Sequence, residues 1–217
     1  MEKTALTISK KSLLELEHNE IAKNIRYISN PLDIFELPMY LEYRSNCETN
    51  EGLVQILPYV VISDIYGNFF SYRRGSSSGE SRLLSKCSIG VGGHVEESIN
   101  SRNPDKIDEV SGALAFSTLR ELNEEIGINL EYHRFCKLKS MFKNSEFIAM
   151  YSTLDNVDKF HLCLALQITV KDTDILNLEE GHIEDIEWLN KENLLLKHKS
   201  KERELEGWSE SLLKHLL

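Results

Sequence analysis

Arg120-Glu121-Leu122-Asn123-Glu124-Glu125-Ile126-Gly127-Ile128 places three carboxylates on one face of a helix and ends that helix with a glycine. At about 100° per residue, with Glu121 at zero, Glu124 falls near −60° and Glu125 near +40°. Ala115, Leu119, Leu122 and Ile126 gather between about +100° and +160°, so the stripe that packs into a core is separate from the acidic one. Like charges three and four residues apart on a helix repel by a few tenths of a kcal/mol per pair. Arg120 offsets part of that repulsion. Hard divalent cations such as Mg2+ or Mn2+ prefer oxygen ligands, and clustered carboxylates supply them. Gly127 suits the left-handed conformation that stops a helix and turns the chain into the next segment.

Upstream of the helix, expected over about Asp108 to Ile126, lies Gly90-Val91-Gly92-Gly93-His94. Its glycines let the backbone approach a phosphate or a cation closely. The spacing matches neither the dinucleotide-binding nor the P-loop fingerprint. Further upstream, Val54 to Ser63 is an apolar, partly β-branched run, Asp64 to Asn68 is a turn, and Phe69 to Arg74 resumes as strand, which together predict a hairpin. Pro58 within it points to an edge or a bulge. Gly75 to Gly79 reads as a loop and Lys86 to Val91 as a short strand. Beyond the acidic helix, Phe135 to Phe142, Glu146 to Leu154 and Lys159 to Val170 are expected as strands, and Asn190 to Leu196 and Glu202 to Leu217 as helices. Strands on both sides of a central helix, with helices at the end, imply an α+β architecture: a mixed β-sheet in an α/β/α sandwich. Residues 1–51 read as an N-terminal extension, with a polar helix from Ser12 to about Tyr27 and an irregular stretch holding Pro31 and Pro38, ahead of a domain over 52–217.

The 217 residues are 41% hydrophobic and 28% charged, ordinary for a globular protein. A formal net charge of −10 opposes broad attachment to nucleic acid or to anionic membranes. No apolar run approaches the roughly 18 residues of a membrane span, and a cytoplasmic protein is expected. Cys47, Cys87, Cys136 and Cys163 stand singly without zinc-ligand spacing, and are expected as buried free thiols.

The nine residues from Arg120 to Ile128, with Gly92-Gly93-His94-Val95-Glu96 ahead of them, resemble the signature of the Nudix hydrolases. In that family's pattern a Gly, five residues, a Glu and seven residues precede Arg-Glu-aliphatic-x-Glu-Glu-x-Gly-aliphatic, and every specified position of the second half is filled. The first half departs from it. Gly93 to Arg120 spans 27 positions against 14, an insertion of 13 residues around Glu97 to Ile107, and the Glu expected eight residues before Arg120 is Gly112. Glu109, about one turn earlier, is its candidate replacement.

The resemblance, which covers about Leu53 to Leu189, implies a Nudix-like fold and a hydrolase that cleaves a phosphoanhydride bond in a nucleoside diphosphate derivative or related compound. It implies Mg2+ or Mn2+ held by Glu121, Glu124, Glu125 and the carbonyl of Gly92. It gives catalytic roles to Glu121, Glu124 and a carboxylate from a later loop, for which Glu180 is the counterpart, with Glu179 and Glu184 competing. Arg73, Arg74, Gly93 and His94 are candidates for binding the phosphorylated small-molecule substrate, the arginines through forked hydrogen bonds. His161 reads as structural. The alternatives are a Nudix-like sensor that binds without cleaving, and an enzyme like isopentenyl diphosphate isomerase, for which Cys87 would be the reactive thiol. The N-terminal extension is a candidate for covering a sheet edge or building a homodimer interface.

Overall fold

A computed structural model describes residues 2–22, 25–75, 84–97, 99, 106–128, 131–152, 158–171, 183–215 and 217. The chain divides into two compact units. The first comprises Met1–Tyr59, Gly92–Leu119 and Leu130–Leu166, and the second Val60–Val91, Arg120–Asn129 and Gln167–Leu217. Among the described residues no helix is long and apolar enough to cross a membrane.

In the first unit, β1 (Thr4–Ser9) pairs antiparallel with β4 (Met39–Tyr43) and with the start of β5 (Leu53–Ser63). A strand with neighbours on both sides saturates its backbone groups, and Ala5, Leu6, Thr7 and Ile8 are all buried. The short helices α1 (Lys10–Glu15), α2 (Asp33–Glu36) and α3 (Arg44–Cys47) connect the strands of this region. β2 (His18–Ala22) and β3 (Ile25–Ile28) form a hairpin, and β3 lies antiparallel to β9 (Ile148–Ser152), which pairs antiparallel with β10 (His161–Thr169). β10 runs alongside β5 in the same direction. Near one end Gln55 meets His161, and near the other Val170 N–H donates to Ser63 O at 2.8 Å. Parallel and antiparallel pairs together make the sheet mixed, and with its helices the chain has the expected α+β architecture.

The second unit holds the other part of β5, then β6 (Phe69–Arg74), which pairs antiparallel with β7 (Cys87–Ser88) and with β11 (Ile183–Leu189). α6 (Lys191–Lys199) and α7 (Gly207–His215) follow. β11 is irregular between Glu184 and Glu187, where Asp185 has φ +49°. Arg203, only 1% exposed, holds this bulge from inside. It donates to the Asp185 carbonyl, pairs with Asp185 Oδ1 at 3.1 Å and with Glu187 Oε1 at 3.0 Å, and reaches Ser71 Oγ at 3.4 Å. Four elements run through both units: β5, β8 (Gly90–Gly92), β10, and α4 (Lys106–Ile126), the helix that carries the signature. β8 precedes α4, and α5 (Tyr132–Lys143) follows it.

Four expectations are corrected. Of the helix expected from Ser12 to Tyr27, Ser12 to Glu15 is helical, as part of Lys10–Glu15, while His18–Ala22 and Ile25 to Tyr27 are strand. Its polar, unbranched residues suit a helix locally, but Ile25, Arg26 and Tyr27 instead pair with Ser152, Tyr151 and Met150 along the edge of β9. The strand expected at Phe135 to Phe142 is helix α5. The alternation from Cys136 to Met141 imitates a strand period, whereas the buried residues Leu138 and Phe142 stand four apart, at helical spacing. Pro58, expected at an edge or bulge, sits in the middle of buried β5 with its carbonyl against Gly92. Cys136, expected buried, lies on the exposed face of α5, while Cys47, Cys87 and Cys163 are buried and free.

Candidate active site

In the second unit the site is built on the last two turns of α4. Leu122 and Ile126 are 1% and 0% exposed and fix the rotation of the helix, which leaves the face with Arg120, Glu121, Glu124 and Glu125 accessible, as the wheel predicts. Arg120 Nη1 donates to Glu121 Oε1 at 2.8 Å and to Glu124 Oε2 at 3.4 Å. Glu121 is 15% exposed and Glu124 54%, so one carboxylate of the pair is half-sheltered and the other projects into solvent. Gly127, at φ +68°, ends the helix. Ile128 N–H folds back to Leu122 O at 3.1 Å, and the Asn123 side chain donates to Ile128 O at 3.1 Å, which fixes the turn behind the acidic face.

The same unit supplies two residues from β6. Phe70, Tyr72 and Arg74 share one face of this strand. Tyr72 Oη donates to Gly90 O at 2.9 Å, and burial holds its phenol well above the usual range. Arg74 Nε donates to Glu206 Oε2 at 2.9 Å. Burial opposes the charge on Arg74, but Glu206 above all, with Tyr72 and Glu125, more than offsets it and keeps the guanidinium charged. Arg73 is on the other face. Its terminal nitrogens donate to Ser85 O at 2.9 Å, Glu202 O at 3.1 Å and Asp185 Oδ2 at 3.2 Å.

In the first unit Gly92 and Gly93 lead into His94. A Cβ on Gly92 would stand 2.7 Å from Pro58 O, 3.1 Å from Tyr59 Cδ2 and 3.4 Å from Tyr59 Cα. The first and last of these are backbone atoms of a buried strand and cannot retreat. Gly92→Ala is therefore expected to destabilise the protein by about 1–3 kcal/mol, the usual range for overpacking. A denaturant midpoint equal to that of the unaltered chain would show that the loop shifts freely. Val95 O accepts from Leu6 N–H at 2.7 Å, which ties the loop to β1. The His94 ring packs edge-on against His161 with centroids 5.8 Å apart, and Gln55 Nε2 lies 3.1 Å from His161 Nε2.

The structure thus joins Arg120, Glu121 and Glu124 through ion pairs, and sets Glu125 within the electrostatic reach of Arg74. Gly92, Gly93 and His94 belong to the first unit. Glu180 lies outside the described residues, as does Glu179; Glu184 is exposed on β11. Residue-by-residue reading missed Glu206, Ser88, Ser209 and Arg203. None falls in a motif, and only their pairing in space marks them.

Three carboxylates on one helical face are the right oxygen ligands for a divalent cation, and a cationic group, the Arg120 guanidinium, already sits between two of them. Among the described residues no three His, Cys, Asp or Glu side chains are gathered into a finished cation site, so Glu121 and Glu124 would have to turn from Arg120 toward an ion. In donor type and spacing the residues fit.

No family model matches the chain. It is 27% identical over 173 residues to protein YmaB of Bacillus subtilis, covering 77% of this chain and 73% of that protein. Among solved structures it superposes on the crystal structure of Tm1382, a protein assigned to the Nudix hydrolases, with TM-score 0.62 and 20% identity, covering 97% of this chain and 96% of that one. The likeness extends through residues 1–51 as well as the signature-bearing part. The chain has the Nudix fold.

Proposed function

We propose that this chain, having the Nudix fold, is a Nudix-type hydrolase that cleaves the phosphoanhydride bond of a nucleoside diphosphate derivative or a related phosphorylated small molecule. The observation that carries this reading is the acidic face of α4: a complete Arg120-to-Ile128 signature with its carboxylates on one face, Leu122, Ile126 and Ile128 buried and its glycine in the left-handed conformation. Glu121, Glu124 and Glu125 would hold Mg2+ or Mn2+. When bound, such a cation supplies charge neutralisation for the diphosphate and a more acidic water.

The protein's own groups do the rest. Arg120 keeps Glu121 and Glu124 on one side of the helix before an ion arrives. Glu121, the more sheltered of the two, would accept a proton from the attacking water; Glu180 is the other candidate for this role. As the water oxygen bonds to phosphorus, the anhydride oxygen leaves with its electron pair on the departing phosphate. Gly93 and His94 are assigned to the substrate, with the histidine ring braced by His161. Arg73, committed to three protein oxygens, reaches substrate only by giving one of them up.

The test is release of phosphate or nucleotide from a panel of nucleoside diphosphate sugars, dinucleotides and triphosphates, with and without Mg2+ or Mn2+. Metal-dependent turnover of at least one class is expected. Binding of a panel compound without turnover would favour a sensor.

A further inference from the structure

Ser117 Oγ donates to Glu97 Oε2, a bond that ties the residue just after Gly92-Gly93-His94-Val95-Glu96 directly to α4. Ser117 is 0% exposed, so its hydroxyl has given up water for this carboxylate, and a hydrogen bond to a charged acceptor is stronger than one between neutral groups. The glycine loop is fixed at two earlier points, Gly92 against the backbone of β5 and Val95 O on Leu6 N–H. Glu97 adds a third. Gly93 and His94 lie between the first and the second.

Glu97 is also where the insertion begins. The chain returns at Lys106, the first residue of α4, whose Nζ donates to Leu37 O at 2.5 Å. A segment inserted between a loop and its helix lengthens the tether that joins them, and a bond across its base makes their geometry independent of that length. Glu109 cannot take the part of the signature's missing Glu toward Arg120. It stands in the first turn of α4, about 16 Å of helix rise before Arg120, farther than the two side chains reach. We propose that Glu97, held by Ser117, fixes the glycine loop on α4 and is a positioning residue for Gly93 and His94. This rests on the hydrolase reading above, which assigns those two residues to the substrate.

Steady-state kinetics on the best substrate of the panel test the proposal. Ser117→Ala and Glu97→Ala each break the clasp and should raise KM about five- to tenfold, the equivalent of one ordinary hydrogen bond, with kcat within about twofold. The double alanine variant should be no worse than either single one, since both remove the same bond. Glu97→Gln keeps an oxygen acceptor for the Ser117 hydroxyl and should hold KM within about threefold of the unaltered chain. A bond that only stabilises the fold would lower the unfolding temperature and leave KM unmoved. Unchanged KM in Ser117→Ala overturns the proposal. So does a kcat lost in Glu97→Gln as fully as in Glu97→Ala, because the charge would then act in the chemistry. Amide hydrogen exchange of Gly93 to Glu97 reads the clasp without turnover: it should quicken about tenfold in Ser117→Ala, stay unchanged in Glu97→Gln, and leave β5 unaffected in both. Equal exchange in all variants also overturns the proposal. A chain that shows this exchange pattern but turns over no panel compound loses the hydrolase reading and keeps the clasp, which separates the two failures.

Discussion

Glu124→Gln is expected to lower kcat/KM by about 10²- to 10³-fold, the loss typical of removing one group that stabilises developing charge in a transition state, with almost no change in unfolding temperature. The two halves of this result have separate causes. Glu124 is 54% exposed and its contact to Arg120 is 3.4 Å long, and exposed pairs of this kind contribute about 0–1 kcal/mol to stability. Glutamine keeps the size of the side chain and its place on the helix but removes the charge, so the variant isolates the electrostatic role of the carboxylate. Steady-state kinetics on the best substrate of the panel, beside a thermal melt, measure both. Activity within a few-fold of the unaltered enzyme would mean that the acidic face of α4 is a solvated helix surface and that the chemistry lies elsewhere.

Arg203→Met is expected to cost about 3 kcal/mol of stability in urea unfolding at neutral pH, near the low end for breaking a buried ion pair. The low end applies because its partners are partly wet: Asp185 is 50% exposed and Glu187 32%. Water can therefore replace some of the lost hydrogen bonds. What water cannot replace is a planar group whose Nη2 holds the Asp185 carbonyl and the Glu187 carboxylate together across the bulge of β11 while its Nη1 reaches Ser71, so Arg203→Lys should recover less than half of the loss. A destabilisation below about 1 kcal/mol would show that β11 keeps its bulge without the arginine. The effect should also depend on pH. Lys197 first, with Arg203 after it and against the effect of burial, holds the Glu187 carboxyl below the usual range. A depressed carboxylate lends stability that is fully present at neutral pH and is lost as pH falls through the carboxylate range. Without Arg203 that depression is smaller, so the difference between variant and unaltered protein should narrow on acidification.

The limits of sequence reading in this chain follow from the range of the interactions concerned. The β5–β6 hairpin, α4, β9, β10 and the two C-terminal helices were legible because each is announced by a local period or a turn residue. The expected helix from Ser12 to Tyr27 was legible only as far as Glu15, since beyond it Ile25 to Tyr27 pair with the edge of β9, more than a hundred residues away. Phe135 to Phe142 failed for a different reason: a short apolar run satisfies both periods, and only burial of Leu138 and Phe142 together distinguishes them.

The candidate site divides in the same way. The residues of the acidic face were determined by the sequence itself, because a helix converts spacing directly into a shared face and Gly127 marks where it stops. The buried polar contacts of the second unit were decided only by the tertiary structure. Arg74 and Glu206 are 132 positions apart, Arg203 and Ser71 likewise 132, and neither Glu206 nor Arg203 differs in sequence context from an ordinary surface charge. A side chain's neighbours along the chain determine which face of an element it occupies. Whether it is buried, and which opposite charge it meets there, depends on how elements distant in sequence pack, and no local pattern encodes that.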